Sequence, residues 1–431
     1  MKNRQFKMRY AVVGLAVLWV VSAPSPSSAT ELKFTSDTMV WGYERDKNTK
    51  RDILVAPLYE FLQVDYGALS EAGFSLHASG WGRADVGDRD FFADNETGEL
   101  LYGYLEYTTE NYNLSTRLGR QYVFEGPASE SIDGIRVQGE ISVFSFSGFA
   151  GLPVALDEDN GISGDAAYGS TLRYRWHEFN KIGLAYKHVT SDNNRDEESV
   201  GLDVFMALPK GVDLTVLSTR NLVSDDWAEH FVEARFDLFE IGFRPYFQLY
   251  QYEDYFSVGT NSANPFRYLA ETNEELTIFA TDLSKVTDSS WEYGAKLKYY
   301  DYSNLGDNSQ YFSALATWHG EALTQVGAEI GAMAGDKPQN EYFIYRIYAY
   351  WAHHFADIKP GFVSADLVFV DYQEEIHNED SSLFASIGSG WYLLDDSLEL
   401  KLSVDYSSDP FFSDDWRGMM ALTYKFRSEE G

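Results

Sequence analysis

Thr171-Leu172-Arg173-Tyr174-Arg175-Trp176-His177 alternates residue by residue: Leu172, Tyr174 and Trp176 share one face, and Thr171, Arg173, Arg175 and His177 share the other. Successive side chains of a β-strand point to opposite faces, so this stretch, read as a strand, separates an apolar medium from a polar one. The same alternation recurs along most of the chain, often with aromatic residues at the ends of the apolar face. Repetition of this kind predicts an all-β fold, a transmembrane antiparallel β-barrel.

The first 29 residues carry the basic cluster Lys2, Arg4, Lys7 and Arg9, an apolar run from Tyr10 to Ala23, and a short stretch ending in small residues at Ser27 and Ala29. That order of segments predicts a secretory signal cleaved after Ala29. The apolar run is about fourteen residues long, too short to span a bilayer comfortably as a helix. No other segment approaches a membrane helix, so a membrane reading rests on strands, which satisfy every backbone donor and acceptor in lipid only when closed into a barrel. Residues 30–431 are read as one barrel domain.

The chain has no cysteine, which excludes disulfide staples, haem attached through Cys-x-x-Cys-His, thiolate-held iron–sulfur clusters and thiol catalysis. No cofactor is expected to be held by this chain. Its formal charge is −33, and removing the four basic residues of the signal leaves 30 bases against 67 acids, or −37. Nucleic acid is a poor partner for such a chain. Thirty Tyr, 29 Phe and 10 Trp in a chain of negative mean hydropathy fit a barrel wall, where apolar residues occupy alternate positions only.

Alternation gives about 22 strand segments, from 34–43 to 415–426, and an even strand number of about 18 to 22, with about 22 the best value. Short connections are read at Glu110 to Tyr112, around Ile141, and at Glu178 to Asn180, Pro209 to Gly211, Phe239 to Glu240, His319 to Glu321 and Leu394 to Asp396. Longer polar ones lie between them, at Asp85 to Gly98, Glu125 to Ser131, Pro153 to Asp165, Ser191 to Glu197, Glu253 to Asn273, Asn304 to Asn308, Gly335 to Asn340 and Glu374 to Ser382. Short turns on one rim and long loops on the other are the pattern of a bacterial outer-membrane barrel, with the short set in the periplasm. Two turns on that rim, near Lys285 and near Phe355, read as longer than the scheme prefers. Glu253 to Asn273 contains Tyr255, Phe256, Pro265, Phe266 and Tyr268, enough apolar surface to fold inward as a constriction or to cap the barrel, against the plainer reading of an ordinary external loop.

Strand sidedness is clear in several places. Leu398, Leu400, Leu402, Val404 and Tyr406 share a face opposed by Glu399, Lys401, Ser403 and Asp405. A charge on the lipid face costs roughly 2–4 kcal/mol at mid-bilayer, so the charged faces are assigned to the lumen. That assignment makes Arg117, Arg136, Arg173, Arg175, Arg244 and Arg346 candidates for a constriction that orients anionic groups, against the plainer reading of cross-strand ion pairs in a water-filled wall. The acidic runs Asp157 to Asn160 and Asp192 to Glu198 are placed in external loops, solvated, binding divalent cations between lipopolysaccharide phosphates, or steering a cationic partner to the outer rim.

Trp416, Gly418, Met420, Leu422, Tyr424 and Phe426 share one face of the last strand. The strand resembles the C-terminal insertion signal of Gram-negative outer-membrane barrels, which implies recognition through Trp416, Met420, Leu422, Tyr424 and Phe426. Here the chain runs on from Arg427 to Gly431. Gly119-Arg120-Gln121 followed by Asp133-Gly134-Ile135-Arg136-Val137 is similar to a motif pair of alginate-export-like and related specific porins, over about twenty residues.

No Gly-x-Ser-x-Gly elbow and no His-Glu-x-x-His occurs, and His353-His354 point to opposite faces of a strand, so neither an enzyme nor a metal site is expected. The leading expectation is a porin for small hydrophilic solutes, set in outer-membrane lipid and lipopolysaccharide. Two rivals are a sheath around a multihaem cytochrome in an electron conduit and a substrate-specific export channel.

Overall fold

The computed structural model describes residues 31–428 apart from 48–49, 89–90, 112, 127, 155–164, 192–193, 252–274, 304–306, 354–360 and 411–413. Its strands are β1 (Glu31–Lys47), β2 (Lys50–Val55), β3 (Pro57–Gly67), β4 (Gly73–Asp85), β5 (Glu96–Thr108), β6 (Leu114–Glu125), β7 (Ala128–Ile141) and β8 (Phe144–Pro153). Then come β9 (Ala166–Arg175), β10 (Lys181–Ser191), β11 (Asn194–Leu208), β12 (Val212–Asn221), β13 (Asp226–Leu238), β14 (Ile241–Gln251), β15 (Glu275–Val286) and β16 (Trp291–Tyr302). The set ends with β17 (Asp307–His319), β18 (Gln325–Gly335), β19 (Tyr342–His353), β20 (Gly361–Ile376), β21 (Glu379–Leu393), β22 (Leu398–Ser408) and β23 (Asp415–Arg427).

Apart from β2 and β3, each strand pairs antiparallel with its neighbours in sequence, and β23 returns to β1 along a ladder running from Lys33–Arg427 to Tyr43–Arg417. Segments β2 and β3 both pair with β1 and are parted only by Ala56, so they form one wall strand. The result is a closed, all-antiparallel barrel of 22 strands. Closure pairs the first and last strands, which would otherwise be the open edges of the sheet.

Two kinds of contact tell the faces apart. On one face lie exposed apolar side chains: Leu172, Tyr174, Ile182, Leu184, Leu402, Val404, Met420 and Leu422 among many. Neighbouring rings meet there, as in Phe144 with Tyr174 at 5.2 Å and Tyr406 with Trp416 at 4.8 Å. On the other face, polar groups meet across an intervening strand. Arg173 on β9 lies 3.2 Å from Asp203 on β11, Lys296 on β16 lies 3.0 Å from Glu329 on β18, and Thr317 on β17 lies 2.5 Å from Tyr348 on β19. Side chains converge only on the concave side of a cylinder, so the ion-paired face is the lumen and the apolar face is the outside. An apolar exterior of this kind is made for lipid.

Some carboxylates break the rule, Glu60 among them. Glu60 stands opposite Thr38 in the ladder, on the same face as Leu62 and Leu422, and receives hydrogen bonds from Ser36 and Thr38 at 2.5 Å each. Two hydroxyl donors compensate part of what a lipid-facing charge loses in solvation.

Several connections differ from the expectation. Glu374 to Ser382, expected as a long loop, is mostly strand: β20 and β21 are joined by His377 and Asn378, both at positive φ (53° and 70°). Positive φ at both central residues is the type I′ hairpin geometry. Ser191 to Glu197 belongs largely to β10 and β11, and Glu125 to Ser131 largely to β6 and β7. These hairpins carry polar residues on both faces, and that loss of alternation is why they read as loops. The turn after Lys285 takes only residues 287–290, shorter than expected. β9 stops at Arg175, so Trp176 and His177 fall in the turn. The signal segment, the Phe355 turn, Asp157 to Asn160 and the Glu253 to Asn273 loop lie outside the described residues.

Candidate functional site

The six candidate arginines occupy two kinds of place. Arg117 and Arg136 are direct ladder partners on β6 and β7. Arg117 lies 3.1 Å from Glu106 and 5.1 Å from the Tyr104 ring centre, while Arg136 lines a recess that Arg173 of β9 also lines. Arg175, two residues further along β9, lies 3.7 Å from Glu140. Four of the six therefore share the wall of β6 to β9. Arg244 on β14 sits between Glu233 at 2.6 Å and Asp282 at 3.8 Å, and Arg346 on β19 is held by both oxygens of Asp366 at 2.5 and 3.0 Å. Those two stand apart from the cluster, each with its own carboxylates.

The bridge from Arg173 to Asp203 passes over β10 at Gly183, the ladder partner of both. A Cβ on Gly183 would collide with the Asp203 carboxylate. Glycine here clears the path along which the two charges meet.

The most consequential element is the hairpin of β6 and β7. The β5–β6 ladder ends at Gly103–Arg120, and the β7–β8 ladder ends at Ile132–Pro153, with the Val154 N–H donating to Ser131 O at 2.7 Å. Beyond those points β6 and β7 pair only with each other, from Tyr122–Ser131 to Glu125–Ala128. The freed tip folds into the barrel. Gly126, at its turn, packs so close to Ala185 of β10 that an added Cβ would collide with it. Glu130 reaches Lys187, also on β10, at 2.6 Å, although β8 and β9 separate β7 from β10. Lys187 is buried and is also ion-paired with Glu197 of β11. Under the tip, Val123 and Ile132 are fully buried against Phe149, Ala167 and Val189, an apolar cluster on the inner wall. Burying such side chains stabilises by about 1.5–3 kcal/mol each, which fastens the tip against the wall.

The bend has a local cause. Gly119 adopts φ 131°, a conformation that other residues avoid, and a Cβ there would meet Gly103 O. Its ladder partner Gly134 packs equally close to Ala150 O and Gly151. Beside this glycine pair, Arg120 clasps Asp133 with two bonds of 2.9 and 3.0 Å and donates to Leu100 O at 3.2 Å. Gln121, 1% exposed, donates from Nε2 to Gly134 O at 3.2 Å. The Gly119-Arg120-Gln121 and Asp133-Gly134 pair thus forms the hinge of an inward-folded hairpin.

Folding inward changes the parity rule. Phe124 shares its alternation with Leu118, which is exposed on the lipid face, yet Phe124 lines a lumen recess of about 440 Å³ together with Ser115, Arg136, Thr171 and Arg173. Strand alternation alone does not reveal such a residue. The paired glycines and the glutamine set between charged neighbours are the available signal.

At the seam, Trp416, Met420, Leu422, Tyr424 and Phe426 stand exposed on the outer face of β23, with Tyr424 6.5 Å from Phe34 of β1. Among the described residues, no cluster of His, Cys, Asp and Glu has the form of a metal site.

No protein-family model matches the chain, and no curated protein sequence matches it. Solved structures that resemble it include the OccAB1 protein of Acinetobacter baumannii, 12% identical over 92% of this chain and 96% of that one, with a TM-score of 0.40. A BenF-like porin from Pseudomonas fluorescens Pf-5 is 8% identical over 93% and 99%, with a TM-score of 0.46. The translocation pore of the P pilus usher PapC is 8% identical over 92% and 99%, with a TM-score of 0.49. The barrel assignment rests on the strand ladders, and likenesses this distant add nothing on function.

Proposed function

We propose that the chain is an outer-membrane channel for small hydrophilic solutes, narrowed from within by the β6–β7 hairpin. The observation that carries this reading is the combination of an apolar exterior, a lumen lined by ion-paired side chains, and one hairpin anchored across the inner wall by Lys187 and Glu130. A polar, charge-balanced wall solvates water and small polar solutes along the whole passage. The hairpin takes up interior space that a threaded cytochrome would need, so the channel reading is preferred to the sheath. In the same reading the N-terminal signal is removed near Ala29, and the exposed outer face of β23 is what the assembly machinery binds. Planar-bilayer recording of the purified, folded barrel tests it: discrete conductance steps are expected, and a folded barrel that gives none overturns the open-channel reading.

A further inference from the structure

Between the hairpin tip and the inner wall lies the recess of about 440 Å³, in the range of sites that enclose small ligands. Its floor is a row of direct ladder partners on four successive strands: Ser115, Gln138, Ser147 and Thr171. Ser115 and Thr171 are 8% and 3% exposed, and their hydroxyl oxygens take no hydrogen-bond partner among the described residues. Buried hydroxyls without partners are uncommon, because each forfeits the bonds it made in water. Arg136 borders this row on one side along β7, and Arg173 borders it on the other along β9. Phe124 projects over it from the hairpin, with 70% of its surface exposed. Glu140, beside Arg175, closes the recess at the end of β7.

We propose that this recess is a solute-binding site for a small organic anion that also carries hydroxyl groups, its oxyanion between the Arg136 and Arg173 guanidinium groups and its hydroxyls on the Ser115–Thr171 row. The inference rests on the channel reading, whose solute it specifies. Guanidinium groups bind planar or tetrahedral oxyanions through directed pairs of N–H donors. The row supplies both donors and acceptors to the remaining oxygens, and the Phe124 ring offers a flat apolar surface to C–H groups. Carboxylate and phosphate monoester share this chemistry.

The test is calorimetric titration of the folded full-length barrel in detergent with D-gluconate, D-glucose 6-phosphate and neutral D-glucose. At least one of the two anions is expected to bind at least about tenfold more tightly than glucose, and Thr171→Val and Arg173→Gln should each weaken it by about tenfold. Thr171→Ser should restore binding. Lys401→Gln, a lumen charge on β22, should leave binding unchanged and so excludes general charge attraction. The stronger of the two anions identifies the carboxylate or the phosphate as the natural group. Equal binding of glucose, indifference to Thr171→Val in a protein that runs as folded on an unheated gel, or equal loss in Lys401→Gln would overturn the proposal. Potassium chloride conductance of the unmodified barrel separates the two failures: steps without anion binding overturn only the site, and absent steps overturn the channel.

Discussion

Among single residues, several glycines of this wall fill places where a side chain would collide. Gly119 and Gly211 both hold positive φ (131° and 72°), but Gly211 has open space where its Cβ would stand, whereas Gly119 abuts the Gly103 carbonyl. Gly211→Ala is expected to lose about 1 kcal/mol through backbone strain alone, and Gly119→Ala distinctly more because strain and collision add. Urea titration of folding into lipid vesicles would rank them, and equal losses would contradict the hinge. Gly183→Val should cost about 1–3 kcal/mol by the same measurement, since its side chain displaces Asp203 from Arg173. These effects are invisible in the sequence, where the three glycines look alike. The pairing register distinguishes them.

Among the elements, the β6–β7 hairpin departs from the wall because its neighbours release it above Arg120 and Ile132, and it stays inside because Val123, Ile132 and Lys187 hold it there. Joining Gln121 to Ile132 by a short Gly-Gly turn, which deletes the tip, should raise single-channel conductance on the order of twofold if the hairpin obstructs the passage. Lys187→Met removes the cation from two carboxylates and leaves Glu130 and Glu197 as a repelling pair on the inner wall. Noisier open-channel current is expected, with the mean conductance shifted toward that of the deletion variant. A quiet trace at the original conductance would show that the apolar cluster alone holds the tip. Length and apolar content point instead to the segment 253–273 as the inward element, and that segment lies outside the described residues. The described inward element is short, and what sets it apart is the pairing it lacks.

For the molecule as a whole, closure and charge dominate. The ladder from Lys33–Arg427 to Tyr43–Arg417 joins the two ends of the chain, so removing β23 leaves β22 and β1 as open edges in lipid, and such a chain should fail to yield a heat-modifiable barrel. The acidic surplus, −33 over the full sequence, should enrich cations at both mouths. Reversal potentials across a potassium chloride gradient are therefore expected to show cation preference near 0.1 M that fades near 1 M, as the screening length falls from about 10 Å to about 3 Å. A preference independent of salt would place the selectivity in the narrow passage instead of at the rims.

Alternation was enough to define the barrel. In stretches such as Leu398 to Tyr406 it dictates which medium each face meets, and in lipid an antiparallel wall has no stable form except a closed one. The strand number was legible too, because turns with their own chemistry punctuate the pattern. Long-range pairing, by contrast, governs where the wall stops behaving as a wall. Polar stretches such as Glu374 to Ser382 read equally well as loop or as paired hairpin, since outside lipid both faces of a strand are wet and periodicity vanishes; there the answer is a two-residue turn at His377 and Asn378. Likewise Phe124 enters the lumen against its own parity because the bend at Gly119 and Gly134 rotates the hairpin out of the sheet, and alternation records only which residues share a face, not which way that face is finally turned.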